Sequence, residues 1–275
     1  MAAFWFVGAT YIRLPVLSNA LLLRIAFRSF FLQASWNFRG MMNMGLLYSL
    51  KPGLDEIYAD PELRASAYRR HLDYFNTNPY FSSILMGVLL FLEEKLATKE
   101  IAEDIMVDTK EGLMTAFAAV GDSFFWDSWR PFVATLAVLL AFNNLLFTPI
   151  LFLLIYNIPH LYLRFFGIFW GYRMGPDVIR ILPKFQMQKL RPTLRFTTLA
   201  LLCFLIPNFV NLHTPFLITF SSEYFFLGEK IVQGFGACLL VGLAALGYKA
   251  GIDVLMISFL LMVVALLFHH WGILI

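Results

Sequence analysis

The densest grouping of side chains able to do chemistry lies between Gly112 and Pro131, GLMTAFAAVGDSFFWDSWRP, where Asp122, Asp127 and Arg130 stand among aromatic and small residues. A carboxylate carried to the centre of a membrane helix costs about 2.5–3.5 kcal/mol, so each acid needs a partner. Arg130, three residues past Asp127 and on the same helical face, is the nearest cation. The competing reading is a water-exposed turn, with Pro131 opening the next helix. A second polar group, Asn76-Thr77-Asn78, precedes Pro79 and a short apolar stretch. At membrane depth such backbone survives only against protein or a water-filled cavity; the alternative is a helix cap and turn. Charge pairing and hydrogen bonding are the chemistry on offer. No GxGxxG, Walker A lysine, HExxH or GxSxG stands in a suitable context, so no catalytic residue is expected. The five histidines, His71, His160, His213, His269 and His270, read as interfacial or capping groups, and neither a metal nor a cofactor is expected.

The elements that must hold these groups are membrane helices. Sixty per cent hydrophobic residues, 30 phenylalanines and 14% charged residues exclude an ordinary soluble domain. The expected fold is all-α, a polytopic integral membrane helical bundle forming a single membrane domain over 1–275, with an N-terminal interfacial amphipathic helix and short re-entrant or broken helices. A net charge of +3 gives no indication of nucleic acid as a partner. Cys203 and Cys238 sit inside apolar runs and read as small core residues. The N-terminus lacks the pattern of a secretory signal, and the whole chain is read as mature.

Within residues 1–50, Arg24 and Arg28 lie four apart beside Phe27, Phe30, Phe31 and Trp36, which suits a helix at the membrane interface; Arg39, Gly40, Gly45 and Pro52 would bend or end it. Residues 51–111 carry most of the acids and read as the aqueous-facing part, with a solvated helix after Pro61. Inside it, the apolar stretch near 79–92 is too short to cross about 30 Å of hydrocarbon and reads as re-entrant or buried, ending at water with Glu93 and Glu94. Residues 112–275 should hold the spanning bundle. The charge-free run from Pro131 to Arg164 makes one tilted or broken span, with Asn143, Asn144 and Pro149 near its middle. Arg164, Arg173, Arg180, Lys184, Lys189, Arg191 and Arg195 against Asp177 mark a cytoplasmic loop. Further spans are expected at Phe196–Ser222, Ile231–Tyr248 and Val254–Ile275, with Lys249 and Asp253 in a short loop.

Four blocks and a short fifth resemble the IID membrane subunit of the mannose/fructose/sorbose class of bacterial sugar phosphotransferase systems. They are FLQASWNF (Phe31 to Phe38), RRHLDYFNTNP (Arg69 to Pro79), FLEEK (Phe91 to Lys95), GLM...VGD..FW...RP (Gly112 to Pro131) and FFGIFWGYRMG (Phe165 to Gly175). Their order and spacing agree over about residues 25 to 220. The resemblance implies a multi-pass subunit of the bacterial inner membrane that pairs with a IIC partner, often as a trimer of IIC-IID heterodimers. It further implies translocation of a hexose that is phosphorylated by a phosphohistidine on a cytoplasmic IIB, itself served by IIA, with no phosphorylated residue on this chain. Asn76, Asn78, Asp122, Asp127 and Arg130 are then candidates for the substrate path or gate; Gln33, Trp36, Asn37, Glu93 and Glu94 are candidates for contact with the partner or the sugar path. One departure stands out: the family reads GLMGPLAGVGD where this chain has Thr115, Ala116, Phe117 and Ala119 in place of two glycines, a proline and a leucine. That departure leaves open a divergent, non-transporting regulatory or interaction protein that kept the fold.

Overall fold

The computed structural model describes residues 17–142, 145–185, 187–209, 239 and 242–270. The described residues are helical with no strand, and they divide into two compact units, Met1–Arg130 with Ile150–Pro192 and Pro131–Pro149 with Thr193–Ile275.

The first unit opens with α1, Asn19–Arg28, whose N-terminus is capped by the Ser18 hydroxyl accepting from the Leu21 N–H at 3.2 Å. A 3-10 turn, Ser29–Phe31, follows, and then α2, Asn43–Ile57. The single interfacial helix expected across 21–50 is therefore two helices with a turn between them. Gly45 shows why α2 can lie so close to that turn: a Cβ there would come within 2.0 Å of the Leu32 carbonyl oxygen. Pro52 does not end α2. It lacks the N–H that would satisfy the Tyr48 carbonyl four residues back, and Arg28 Nε donates to that carbonyl at 2.7 Å instead. The arginine of α1 thus repairs the proline's gap in α2.

Helix α3, Pro61–His71, starts where the sequence places it, with the Asp60 side chain accepting from the Glu62 N–H at 2.8 Å. Its last turn, however, is solvated only at Arg69, because Arg70 and His71 are buried. They turn toward α4, Ser82–Ala97, which is buried from Ser82 through Leu90 and again at Leu92 and Glu93. Sixteen residues at 1.5 Å each span about 24 Å, short of the hydrocarbon thickness, and protein encloses this helix.

Helix α5, Glu103–Gly121, runs directly into a π-helical segment, Asp122–Trp129, and then α6, Arg130–Phe142. No turn interrupts Gly112 to Pro131. The family glycines and proline that would bend this stretch are absent, and Phe117 instead stacks on Phe81 in the core, ring centroids 5.8 Å apart. The π segment carries the wider i to i−5 bonding, with the Arg130 N–H on the Phe125 carbonyl and the Ser128 hydroxyl on the Ser123 carbonyl at 3.1 Å. Pro131 supplies a cause, since its ring conflicts with the carbonyl four residues earlier and a wider turn moves that carbonyl aside.

Helix α7, Thr148–Met174, is followed by a 3-10 segment, Gly175–Phe185, and α8, Met187–Phe209. The charge-free run after Pro131 is broken between α6 and α7, and Pro149 sits in the first turn of α7, where a missing N–H is harmless. Contrary to the expected loop at Arg164, α7 continues ten residues beyond it. It crosses α4 at glycines: a Cβ on Gly87 would lie 2.2 Å from the Ile168 carbonyl oxygen, and one on Gly171 2.0 Å from that of Ile84.

In the second unit, α6 and the later part of α8 are joined by α9 (242–249) and α10, Val254–His270. The Lys249–Asp253 loop turns at Gly251, φ +85°, and the Asp253 carboxylate caps α10 by accepting from the Leu255 N–H at 2.8 Å. Among the described residues, one helical stretch, Thr148–Arg180, is long and apolar enough to cross a bilayer, and α10 holds a shorter apolar one, Leu255–Leu267. Asn143, Asn144, His213, Cys238, the expected turn near Glu223–Lys230 and most of the expected spans at Phe196–Ser222 and Ile231–Tyr248 lie outside the described residues, as do the side chains of Cys203 and His269.

Candidate functional site

Two of the sequence blocks meet in space. The Asn78 amide donates to Asp122 Oδ1 at 2.8 Å, while its own oxygen accepts from the Tyr80 N–H at 3.0 Å. The Asn78 carbonyl accepts the Phe81 and Ser82 N–H groups, both at 3.1 Å, which starts α4. Asn78 therefore closes the turn that leads into α4 and tethers it to the π segment. Gly121 makes the contact possible, because a Cβ there would sit 2.4 Å from the Asn78 side chain. Thr77 Oγ1 donates to the Met114 carbonyl at 2.9 Å, and the Asn76 N–H points at Met114 Sδ at 3.1 Å. The NTNP stretch is thus docked residue by residue along GLM...VGD. Asn78 is buried, whereas Asn76, Asp122, Asp127 and Arg130 are exposed on the chain. Asp122 takes Asn78, and the Arg130 guanidinium lies 5.8 Å from the Trp126 ring centroid.

The loop is fixed from the other side by Arg164. This buried arginine of α7 donates through Nη2 to the Pro79 carbonyl at 3.0 Å and through Nη1 to the Ser29 hydroxyl at 2.9 Å and the Ser29 carbonyl. Its guanidinium lies 4.6 Å from the Phe30 ring centroid. A cation at the carbonyl end of α1 also opposes the dipole there. Next to the loop, Tyr80 stacks on His160 at 4.4 Å, shares a 2.9 Å hydrogen bond with the Tyr156 hydroxyl, and lies 5.4 Å from the Trp126 ring. The result is a polar, irregular backbone segment beside half-exposed aromatic rings.

A second polar cluster lies inside the unit. Glu93, placed at water by the sequence, is completely buried, and its carboxylate accepts four hydrogen bonds. Oε1 takes Arg70 Nε at 3.1 Å and His71 Nε2 at 2.8 Å; Oε2 takes Arg70 Nη2 at 3.0 Å and the Tyr58 hydroxyl at 2.7 Å. Arg70 Nη1 also pairs with Glu103 at 3.0 Å, and Lys110 Nζ reaches the Arg70 carbonyl at 3.4 Å. Burial alone would raise the Glu93 pKa, but the His71 and Arg70 hydrogen bonds and charges outweigh it and hold the carboxyl at about 2. Burial pushes His71 below the usual imidazole range despite the Glu93 carboxylate against its Nε2. Burial and the Glu93 charge raise Tyr58. Glu93 is an internal rivet joining α2, α3 and α4, not a partner contact, and His71 is a core group, not an interfacial one.

Of the remaining expected contacts, Glu94 is half-buried and accepts from the Tyr172 hydroxyl. Gln33 and Trp36 are exposed; Asn37 is half-buried and spent on local bonds, donating to Asn43 Oδ1 at 3.0 Å and accepting from the Gly40 N–H at 2.8 Å. Sequence reasoning missed the Glu93 cluster and Arg164. The available signal for Glu93 is its place in an apolar helix with RRH nearby; Arg164 is indistinguishable in sequence from the loop cations that follow it. Among the described residues no group of three or more His, Cys, Asp or Glu could hold a metal.

Residues 16–274 match the family model described as the PTS system mannose/fructose/sorbose family IID component. The chain is 34% identical over 194 residues to the mannose-specific EIID component of Escherichia coli (strain K12), covering 70% of this chain and 69% of that one. It is 31% identical over 193 residues to the fructose permease IID component of Bacillus subtilis (strain 168), covering 70% of each. Among solved structures, it is similar to a chain titled only as a membrane protein, at a TM-score of 0.76 with 27% identity, covering 94% of this chain and 98% of that one. A chain from the cryo-EM structure of the mannose transporter ManYZ in complex with microcin E492 aligns with the same identity and coverage, at a TM-score of 0.56.

Proposed function

The chain belongs to the mannose/fructose/sorbose family of phosphotransferase-system IID components, and from that premise we propose that it pairs with a IIC subunit to translocate a hexose that a cytoplasmic IIB phosphorylates. In this reading it is a multi-pass protein of the bacterial inner membrane, assembled with IIC into a larger oligomer such as a trimer of heterodimers. The observation that supports a role for the site is the direct docking of NTNP on VGD, through Asn78–Asp122 and the space left by Gly121. Asn76 and Asp122 are exposed on the same two segments that carry Tyr80 and Trp126, and together they offer amide, carboxylate and ring faces of the kind that bind sugars; Asp127 and Arg130 follow on the second segment. The chain supplies no nucleophile in this scheme, and the phosphoryl group comes from IIB.

The alternative, a non-transporting protein retaining the fold, is less favoured. The altered residues Thr115 to Ala119 lie within a regular α5, and the Asn78–Asp122 contact stands without them.

The test is uptake and phosphorylation of a hexose panel in cells lacking the gene, complemented with parent or Asp122→Asn, with membrane levels of the chain measured in parallel. Expected is loss of one hexose on deletion and at least a tenfold drop in its uptake by Asp122→Asn at equal protein. Unchanged uptake of every hexose after deletion would refute the reading.

A further inference from the structure

Before Asp55 the chain contains no acid, while it carries Arg13, Arg24, Arg28, Arg39 and Lys51. Within this stretch the turn after α1 displays Trp36 and Phe38, 49% and 88% exposed, in edge-to-face contact at 5.1 Å, followed directly by the exposed Arg39.

The turn behind them is held firmly. Asn37 and Met41 exchange backbone hydrogen bonds at 3.0 and 2.8 Å, Met42 donates to the Phe75 carbonyl at 2.9 Å, and Phe75 donates to that of Gly40 at 3.2 Å. Met41 adopts φ +56°, and the Asn37 amide closes the turn onto Asn43. Two large rings and a cation are therefore presented outward by a backbone with little freedom, so ordering them on a surface costs little entropy. On α1, Arg24 is exposed one turn before Arg28, whose guanidinium lies 3.7 Å from the Tyr48 ring centroid with Phe31 on that ring's edge.

We propose that the 36–39 turn, with Arg24, docks on anionic phospholipid, Trp36 and Phe38 entering the headgroup boundary and the arginines meeting phosphodiester oxygens. Rings at the boundary with cations at the phosphates is the arrangement an anionic leaflet selects, and the stretch through residue 54 contributes no acid of its own, the exposed Asp73 beside Phe75 being the carboxylate that the fold brings toward the turn. The proposal rests on the membrane location of the family, and its test measures no transport, so it can fail while the transport reading stands.

The experiment places the full chain in nanodiscs and reads tryptophan quenching by brominated phosphatidylglycerol or brominated phosphatidylcholine. The Trp36 signal is the difference between the parent and Trp36→Phe. Expected is quenching of Trp36 by both lipids with a preference of about 25-fold for phosphatidylglycerol, which Arg39→Gln and Arg24→Gln each reduce by about fivefold, equivalent to ~1 kcal/mol per cation at an anionic surface. Equal quenching by the two lipids overturns the charge assignment, and no quenching overturns the docking. A photo-crosslinking benzophenone residue in place of Phe38, which leaves Trp36 intact, gives an independent reading in cells: a lipid adduct supports the proposal, and a crosslink to another polypeptide assigns the turn to a partner and refutes it.

Discussion

Glu93→Gln isolates the buried cluster. The glutamine keeps the shape and one acceptor oxygen, which can serve two of the four donors now on the carboxylate; its NH2 group faces the other two. Hydrogen bonds to a charged group contribute about 1.5–3 kcal/mol each, so losing two predicts ~3–6 kcal/mol. That agrees with the ~3–5 kcal/mol typical of removing one partner from a buried ion pair. Arg70 keeps only Glu103 as a counter-ion, and the Glu103 side chain is 59% exposed, so it screens the loss weakly. At about 2–4 °C per kcal/mol for a domain of this size class, a loss of ~3 kcal/mol predicts a fall of roughly 6–12 °C in the melting temperature of the purified protein. Thermal denaturation in detergent, followed by size-exclusion chromatography of the heated samples, measures it. The double variant Arg70→Met, Glu93→Met should melt above Glu93→Gln, because replacing both charges removes the orphaned cation. A Glu93→Gln protein melting within about 1 °C of the parent would show that the cluster contributes no stability, and the reasoning would fall.

Acid should weaken the same cluster. His71 has its folded pKa below the unfolded 6.5, so the unfolded state binds the extra proton and stability declines as pH drops below about 6.5; Glu93, held at about 2 against 4.5, adds a second decline below about 4.5. Melting curves between pH 7.5 and 5 should show the first step, and His71→Gln should flatten it. Gly171→Val would drive a side chain into the Ile84 carbonyl, a clash with backbone that costs about 3 kcal/mol or more, and immunoblots of membranes should show little intact protein. Arg164→Lys keeps the charge but cannot reach Pro79 and Ser29 with one fork; its melting temperature should match Arg164→Met more closely than the parent, and equality with the parent would count against the bidentate role.

The sequence identified the helical class, the family blocks and the polar NTNP and VGD groups because each depends on local composition and order. Pairing depends on what the folded chain brings together, and local spacing does not show it. Arg130 is the nearest cation to Asp122 in sequence, yet Asp122 accepts from Asn78, 44 residues away. Glu93 looked like a boundary because acids usually end apolar helices at water, and nothing local announces that Arg70, His71 and Tyr58 converge on it. Pro52 looked like a stop because its missing hydrogen bond is visible in sequence, whereas the substitute donor, Arg28, comes from another helix. Arg164 resembles a loop cation in sequence for the same reason: its acceptors lie in segments 135 and 85 residues distant.

Where α4 and α7 cross at Gly87 and Gly171, main chain rests on main chain with no layer of side chains between. Side-chain layers let packed helices slip by small rotamer changes, as gears with some play; here there is no play to take up. Whatever rearrangement a working cycle demands of this protein, that crossing must travel as one piece, and the compliance has to be found elsewhere in the chain.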